Sequence, residues 1–134
     1  MNAVGQLAGM RVLVVEDDYY LAADQRDLLR KAGADVVGPC GNVEDATRLI
    51  AAERIDCALV DINLGDGPCF ALARRLREES IPFLFTTGYD AGAIPADLRD
   101  VRRFEKPTDE QMIVTALSEI ARVSHPRPTP PPAR

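Results

Sequence analysis

The sequence has few of the residues that build metal–thiolate sites or histidine-based catalytic centres. Its 134 residues include no tryptophan, one histidine and three cysteines. Cys40, Cys57 and Cys69 are odd in number and lack the spacing of zinc ligands, so neither a zinc site nor a disulfide framework is expected. His125 lies in a proline-rich stretch, which excludes a histidine-based nucleophile in the folded part.

The sequence also lacks an excess of basic residues and any long apolar run. It has 16 Lys and Arg against 21 Asp and Glu, a net charge of −5, which argues against nucleic acid or an anionic membrane as a partner. Residues 1–7 lack the charged start and apolar stretch of a signal peptide, and no apolar run approaches the ~20 residues of a membrane span. We therefore expect a cytoplasmic protein.

Strand and helix patterns alternate along the chain, which predicts an α/β fold built from βα units around a parallel sheet. The length fits a single domain, because domains most often have roughly 100–150 residues. The patterns predict strands at 11–15, 35–38, 56–61, 83–86 and 101–104, and helices at 19–31, 42–53, 68–79 and 108–123. In the last helix, Met112, Ala116, Leu117 and Ile120 are expected to face inward, after a capping box formed by Thr108 and Gln111.

The fourth βα unit is expected to have a reduced helix. Gly88, Gly92 and Pro95 interrupt the segment between the fourth and fifth strands, so we expect a loop with a short helix after Pro95. We expect residues 1–9 to be an N-terminal extension and residues 10–124 to be the domain. Residues 125–134 should form a proline-rich tail, either disordered or a linker stub.

Three carboxylates, Glu16, Asp17 and Asp18, directly follow the first apolar strand. Two like charges ~4 Å apart repel by about 4 kcal/mol at an effective dielectric of ~20, so a cation would relieve such a cluster. The alternative is an exposed acidic turn near the N-terminus of the next helix, where Asp is favourable. This stretch alone supports both interpretations equally.

Other polar residues follow the third, fourth and fifth strands. Parallel strands with right-handed crossovers end at one edge of the sheet, which would bring Asp61, Thr87 and Lys106 close to the first acidic cluster. Carboxylate oxygens suit Mg²⁺, whereas a lysine and a hydroxyl suit a phosphoryl group. The combination is typical of a carboxylate nucleophile with electrostatic stabilisation of a transferring phosphoryl group.

The chain resembles the receiver domains of two-component response regulators over roughly residues 10–123. The resemblance depends on four separated motifs in the right order: Val15-Glu16-Asp17, Val60-Asp61-Ile62-Asn63-Leu64, Thr87-Gly88 and Lys106-Pro107. It implies a flavodoxin-like, doubly wound sheet of five parallel strands in the order 2-1-3-4-5.

The resemblance also implies a role for each site residue. Asp61 would accept the phosphoryl group, and Thr87 and Lys106 would contact its oxygens. Asp17 would bind Mg²⁺ directly, Glu16 would help through water, and Asp61 and the carbonyl of Asn63 would complete the protein's share of the ligands. The phosphoryl donor would be a sensor histidine kinase or a histidine phosphotransfer protein. The downstream protein stays open, and a homodimer is possible.

The chain departs from the commonest receiver pattern in ways that point to a subfamily. Arg103 stands where an aromatic residue usually lies, three residues before the lysine. The segment from Phe85 to Tyr89 resembles the Phe-Ala-Thr-Gly-Gly/Tyr motif of a subfamily often found as single-domain regulators. We therefore expect the conformational switch to run through Thr87 and Tyr89, because Arg103 could bury itself only by leaving its charge unpaired.

Three alternatives compete with this signalling switch. A Mg²⁺-dependent phosphohydrolase with an aspartyl-phosphate intermediate would need an acid where Asn63 stands, so turnover beyond self-phosphorylation and slow dephosphorylation is not expected. A non-phosphorylated pseudo-receiver is disfavoured because Asp61, Asp17, Thr87 and Lys106 are all present. A dinucleotide-binding domain would need a glycine-rich turn where the acidic cluster lies.

Overall fold

The computed structural model describes residues 5–62, 64, 70–87, 94–106 and 109–124. Several sequence predictions fall outside these ranges. They concern the proposed ligand Asn63, the switch residue Tyr89, the helix start at Pro68, the capping residue Thr108 and the tail 125–134.

Five parallel strands form one sheet in the order β2-β1-β3-β4-β5. The strands are β1 (Arg11–Val15), β2 (Asp35–Cys40), β3 (Cys57–Asp61), β4 (Phe83–Thr87) and β5 (Arg103–Glu105). The helices are α1 (Tyr19–Lys31), α2 (Val43–Ala52), α3 (Ala71–Glu78) and α4 (Glu110–Ser124), and a short 3₁₀ helix spans Ala96–Leu98. The predicted doubly wound fold and strand order are confirmed, as is the short helix after Pro95.

The helices cover both faces of the sheet, which explains why the central strands are apolar throughout. Leu29 of α1 and Leu117 of α4 pack on one face, together with Val12, Val14 and Leu59 of the sheet. Ile50 of α2 and Leu76 of α3 pack on the other face. We call the first of these the α1/α4 face. Alternate residues of each strand therefore enter different cores, and the strand ends continue the same alternation.

Four strands differ from their predicted bounds: β3 begins and β4 ends one residue later than predicted, while β2 ends and β5 begins two residues later. β2 continues to Cys40, beyond the predicted end at residue 38, because the positive φ of Gly38 (91°) lets the strand shift register and pair Cys40 with Val15. β5 begins at Arg103 and not at residue 101, because the amide of Val101 bonds to the carbonyl of Leu98 in the preceding turn and is not available to the sheet.

The inward prediction for Met112 is wrong, since its side chain is 54% exposed. The buried face of α4 is centred one position later, on Ile113, Ala116 and Leu117. Ala116, Leu117 and the partly buried Ile120 are inward as predicted. Asp109 caps the helix by accepting hydrogen bonds from the amides of Gln111 and Met112.

The core also extends N-terminal to the predicted domain start at residue 10. Leu7 is fully buried in the core of the α1/α4 face, and its amide donates to the carbonyl of Ala32 at 2.8 Å. The side chain of Gln111 donates to Gln6 at 2.9 Å. Residues 6 and 7 therefore pack against the ends of α1 and α4.

Within the described ranges, no helix is both long and apolar enough to span a bilayer.

Candidate functional site

The carboxyl ends of β1, β3 and β5 bring three ionisable side chains together. Val12 and Val14 of β1 face α1 and α4, as do Cys57 and Leu59 of β3. By the same alternation Glu16 follows on this face after β1, and Asp61 ends β3 on it. Both carboxylates are buried, each 3% exposed. Two buried carboxylates of like charge require a cation close by.

Lys106 supplies that cation. Its Nζ lies 2.7 Å from Glu16 Oε1 and 3.2 Å from Asp61 Oδ2. Its amide donates to the carbonyl of Thr87 at 2.7 Å, which continues the β4–β5 ladder one residue beyond Glu105 and fixes the origin of the side chain. The structure therefore brings Lys106 and Asp61 together, as the sequence predicts.

Asp17 joins the two buried carboxylates at the surface. One carboxylate oxygen from each of Glu16, Asp17 and Asp61 lies within 4.8 Å of the others. Asp17 is exposed, so the cluster opens to solvent on one side. Three carboxylates converging on an accessible point, opposed by a single lysine, form an oxygen-rich site that fits a hard divalent cation.

The third member of the acidic cluster, Asp18, has a different role. Its side chain accepts hydrogen bonds from the amides of Tyr20 and Leu21, both at 3.0 Å, and caps α1. Its own amide donates to Glu16 Oε2 at 3.2 Å, which orients the buried carboxylate. The helix-capping interpretation is therefore confirmed for Asp18, whereas the metal interpretation of Glu16 and Asp17 stays a prediction.

Burial changes the protonation of the site. Burial, and then the charge of Asp61, raises the pKa of Glu16 from 4.5 to about 7, although the hydrogen bonds from Lys106 and Asp18 oppose the rise. Burial by itself would lower the pKa of Lys106, but Glu16 and Asp61 more than offset it and hold that pKa above its ordinary value. The lysine is therefore charged at neutral pH while Glu16 is close to its midpoint.

We expect the metal-free protein to lose stability relative to Glu16→Gln as pH rises. The folded-state pKa of Glu16 is raised, so its protonated form contributes stability that is fully present below 4.5 and is lost as pH passes about 7. The slope should reach at most about 1.4 kcal/mol per pH unit inside this window. Urea unfolding of both proteins between these pH values measures it, and parallel pH profiles would contradict the assignment.

Of the remaining residues named from the sequence, the structure describes Thr87 and Arg103. Thr87 is buried at the end of β4, one residue beyond Thr86, which pairs in register with Asp61. Arg103 is exposed, so it does not occupy an aromatic pocket. Asn63 and Tyr89 lie outside the described residues.

Thr86 is a site neighbour that the sequence did not reveal. Its side chain is 1% exposed, and its hydroxyl has no hydrogen-bond partner among the described residues. In the sequence it is one β-branched residue of an apolar strand, which is where threonine is commonly found. Strand alternation could have placed it on the face of Asp61, but nothing in the sequence shows that its hydroxyl is unpaired.

Comparison with known proteins identifies the family. The family model of the response regulator receiver domain matches residues 12–118. The chain is also 32% identical over 114 residues to the sensory transduction protein LytT of Bacillus anthracis, covering 82% of this chain and 46% of that protein. The chain belongs to the response regulator receiver family, which is in general a non-enzymatic signalling domain. It spans about half the length of curated relatives such as LytT and LytR.

Solved structures agree with this assignment. The receiver domain of PhyR from Erythrobacter litoralis superposes with a TM-score of 0.76 at 26% identity, covering 94% of this chain and 99% of that one. SdrG from Sphingomonas melonis Fr1 superposes with a TM-score of 0.73 at 28% identity, covering 90% of this chain and 98% of that one. Both superpositions cover at least 90% of this chain.

Proposed function

We propose that this receiver domain accepts a phosphoryl group on Asp61 in a Mg²⁺-dependent reaction. The donor is a sensor histidine kinase or a histidine phosphotransfer protein. The observation that carries the proposal is the position of Asp61, a buried carboxylate within 3.2 Å of Lys106 Nζ and beside two further carboxylates. Family membership supports it, because accepting a phosphoryl group is the general role of these domains.

The transfer needs a nucleophile and a way to neutralise charge. A carboxylate oxygen of Asp61 attacks phosphorus, the bond to the imidazole nitrogen of the donor breaks, and the electron pair leaves with the imidazole. Lys106 supplies positive charge to the phosphoryl oxygens from its position beside Asp61, and the hydroxyl of Thr87 is a further donor. A bound Mg²⁺ would supply charge neutralisation to the same oxygens.

We assign the metal ligands from the carboxylate cluster. Asp17 would bind Mg²⁺ directly because it is the exposed carboxylate at the open side, and Glu16 would act through water. A carboxylate oxygen of Asp61 and the carbonyl of Asn63 would be further ligands. The donor set fits, since Mg²⁺ prefers one or two carboxylates and keeps several waters.

Asp17→Ala and Asp18→Ala should separate metal binding from helix capping. Removing Asp17 should weaken Mg²⁺ binding about tenfold, because the ~4 kcal/mol attraction of a close charge is reduced by solvent at an exposed position. Removing Asp18 should cost about 1 kcal/mol of unfolding free energy through the lost cap and leave the metal affinity within about twofold. Calorimetric Mg²⁺ titration and urea unfolding of both variants measure this. Equal Mg²⁺ affinity for wild type and Asp17→Ala would remove Asp17 from the site.

The conformational response would run through Thr87 and Tyr89 at the end of β4. Two exposed arginine pairs join α3 to residues 97 and 100, Arg74 with Asp97 and Arg77 with Asp100, at 3.0 Å each, and such pairs are weak. The buried side chains of Ile94 and Leu98 hold the same stretch in the core. Arg103, being exposed, has no part in this response.

The wider role follows from the same proposal. We assign the domain to residues 7–124, because the burial of Leu7 moves the start predicted at residue 10, with a proline-rich tail at 125–134. It would signal in the cytoplasm by protein–protein contact, with or without homodimer formation, or act as a phosphate sink. Its chemistry would be limited to its own phosphorylation and slow dephosphorylation. The Phe-Thr-Thr-Gly-Tyr segment supports placement in the Phe-Ala-Thr-Gly-Gly/Tyr subfamily.

Incubation with a panel of purified histidine kinases and one small-molecule phosphoryl donor tests the function. Phosphate should be incorporated in the presence of Mg²⁺ and not in its absence. A failure of every donor in the presence of Mg²⁺ would contradict the proposed function.

A further inference from the structure

Thr86, Asp61 and Phe104 lie side by side across three neighbouring strands. Asp61 of β3 pairs in register with Thr86 of β4, and Thr86 pairs with Phe104 of β5. Phe104 packs in the core of the α1/α4 face, so the side chains of Thr86 and Asp61 share that face. Lys106, two residues after Phe104, belongs to the same face.

The side chain of Lys106 therefore crosses β4 on the face of Thr86. Neighbouring strands are ~4.8 Å apart, so β3 and β5 are separated by roughly 10 Å. Lys106 starts at the end of β5 and brings its Nζ to 3.2 Å from Asp61 on β3. Among the described residues of β4, Thr86 is the last on this face, and residue 88 is a glycine without a side chain. The path of the lysine thus lies over or beside Thr86.

The hydroxyl of Thr86 is buried at 1% exposure and is unpaired among the described residues. A buried hydroxyl without a partner is unfavourable, and the isosteric valine would avoid that cost. An ammonium group has three donors, and Lys106 directs its charge to the two carboxylates Glu16 and Asp61. Among the described residues, this unpaired acceptor thus lies on the strand that the Lys106 side chain crosses, and the two carboxylates that hold the ammonium group are both candidate metal ligands.

We propose that the Thr86 hydroxyl is a positioning residue that accepts a hydrogen bond from Lys106 when the carboxylates turn to a bound cation. A bound Mg²⁺ would draw on Asp61 directly and on Glu16 through water, so both carboxylates would hold the lysine less firmly. The hydroxyl keeps the ammonium group above Asp61, where the phosphoryl oxygens arrive. The inference rests on the proposed function, because it concerns the phosphoryl-loaded state of the same site.

Thr86→Val tests the inference, since valine keeps the shape and removes the hydroxyl. The metal-free variant should be at least as resistant to urea as wild type, yet bind beryllium fluoride with Mg²⁺ about tenfold more weakly. Thr86→Ser, which keeps the hydroxyl, should restore the affinity to within about twofold. Thr47→Val on helix α2 is the matched control for a threonine outside the site and should match wild type in affinity.

Two further measurements distinguish positioning from packing. In a double-mutant cycle, Thr86→Val should have little effect on beryllium fluoride affinity once Lys106 is alanine, because the hydroxyl acts through the lysine. The chain has two lysines, so ¹³C-lysine labelling gives separate signals for Lys31 and Lys106. The Lys106 signal of the loaded protein should shift in Thr86→Val while the Lys31 signal stays in place.

The outcomes separate the inference from the function on which it rests. Wild-type affinity and an unchanged Lys106 signal in Thr86→Val would overturn the positioning role and leave the proposed function standing. Additive losses in the double-mutant cycle would also overturn it. If wild type neither binds beryllium fluoride nor accepts phosphate while the Lys31 and Lys106 signals show a folded protein, the proposed function itself fails.

Discussion

Asp61→Asn should abolish phosphoryl incorporation while leaving the fold intact. The amide keeps the shape of the carboxylate but cannot act as the nucleophile. It also removes one of two buried negative charges beside Lys106, so the metal-free protein should be at least as stable as wild type above pH 7, where Glu16 is ionised. Incorporation is measured by intact mass spectrometry with a competent donor and Mg²⁺, and stability by urea unfolding.

Asp56→Asn is a matched control for this result. Asp56 lies at the opposite end of β3, where its side chain accepts from the amide of Arg11 at 2.8 Å. Its replacement should leave phosphoryl incorporation unchanged. Incorporation by Asp61→Asn at the wild-type level would show that another residue is the acceptor.

Lys106→Ala should produce the second large effect, a loss of about 100-fold in the rate of phosphorylation. One preorganised charge on a developing anion is typically worth 10²–10³ in rate, and Lys106 is the cation that contacts Asp61 among the described residues. Mg²⁺ affinity should not fall, because removing a positive charge leaves the carboxylate site more negative. Stopped-flow phosphorylation and Mg²⁺ titration measure the two quantities.

Lys106→Ala should also show how strongly the buried carboxylates destabilise the metal-free protein. Without Lys106, the pKa of Glu16 should rise further, and the metal-free protein should be destabilised above pH 7 and rescued by Mg²⁺. Lys31→Ala, at the last turn of α1, is the control and should change none of these quantities. Unchanged phosphorylation kinetics in Lys106→Ala would contradict a role in phosphoryl transfer and would show that Lys106 serves only as an ion-pair partner of the carboxylates.

The strand order and the position of the candidate site were predictable because the strands are nearly all apolar and polar or charged residues follow their carboxyl ends. Each polar residue after a strand had to appear at the shared carboxyl edge, which is why Asp61 and Lys106 meet in the structure. The sequence alone does not distinguish the role of Asp18 from the roles of Glu16 and Asp17. The distinction depends on the turn into α1, where the side chain of Asp18 accepts hydrogen bonds from the amides of Tyr20 and Leu21.

The failures come from features that local patterns do not record. Met112 fits the helical spacing of an inward position, but the helix is rotated so that Ile113 and Leu117 meet the sheet. Leu7 lies in a short segment without periodicity, and only the position of the α1 end at Ala32 explains its burial. The hydroxyl of Thr86 is unpaired among the described residues, and its surroundings come from three strands, so no single segment of the sequence shows this.

The central claim is that the carboxyl edge of the sheet holds Asp61 as a phosphoryl acceptor. Borohydride reduction of the phosphorylated protein converts an acyl phosphate to an alcohol, and peptide mass spectrometry then locates the modified residue. Our account predicts reduction at position 61, with Mg²⁺ required during phosphorylation. Modification at Asp17, Asp18 or any other residue in its place, or phosphorylation that proceeds equally without Mg²⁺, would contradict it.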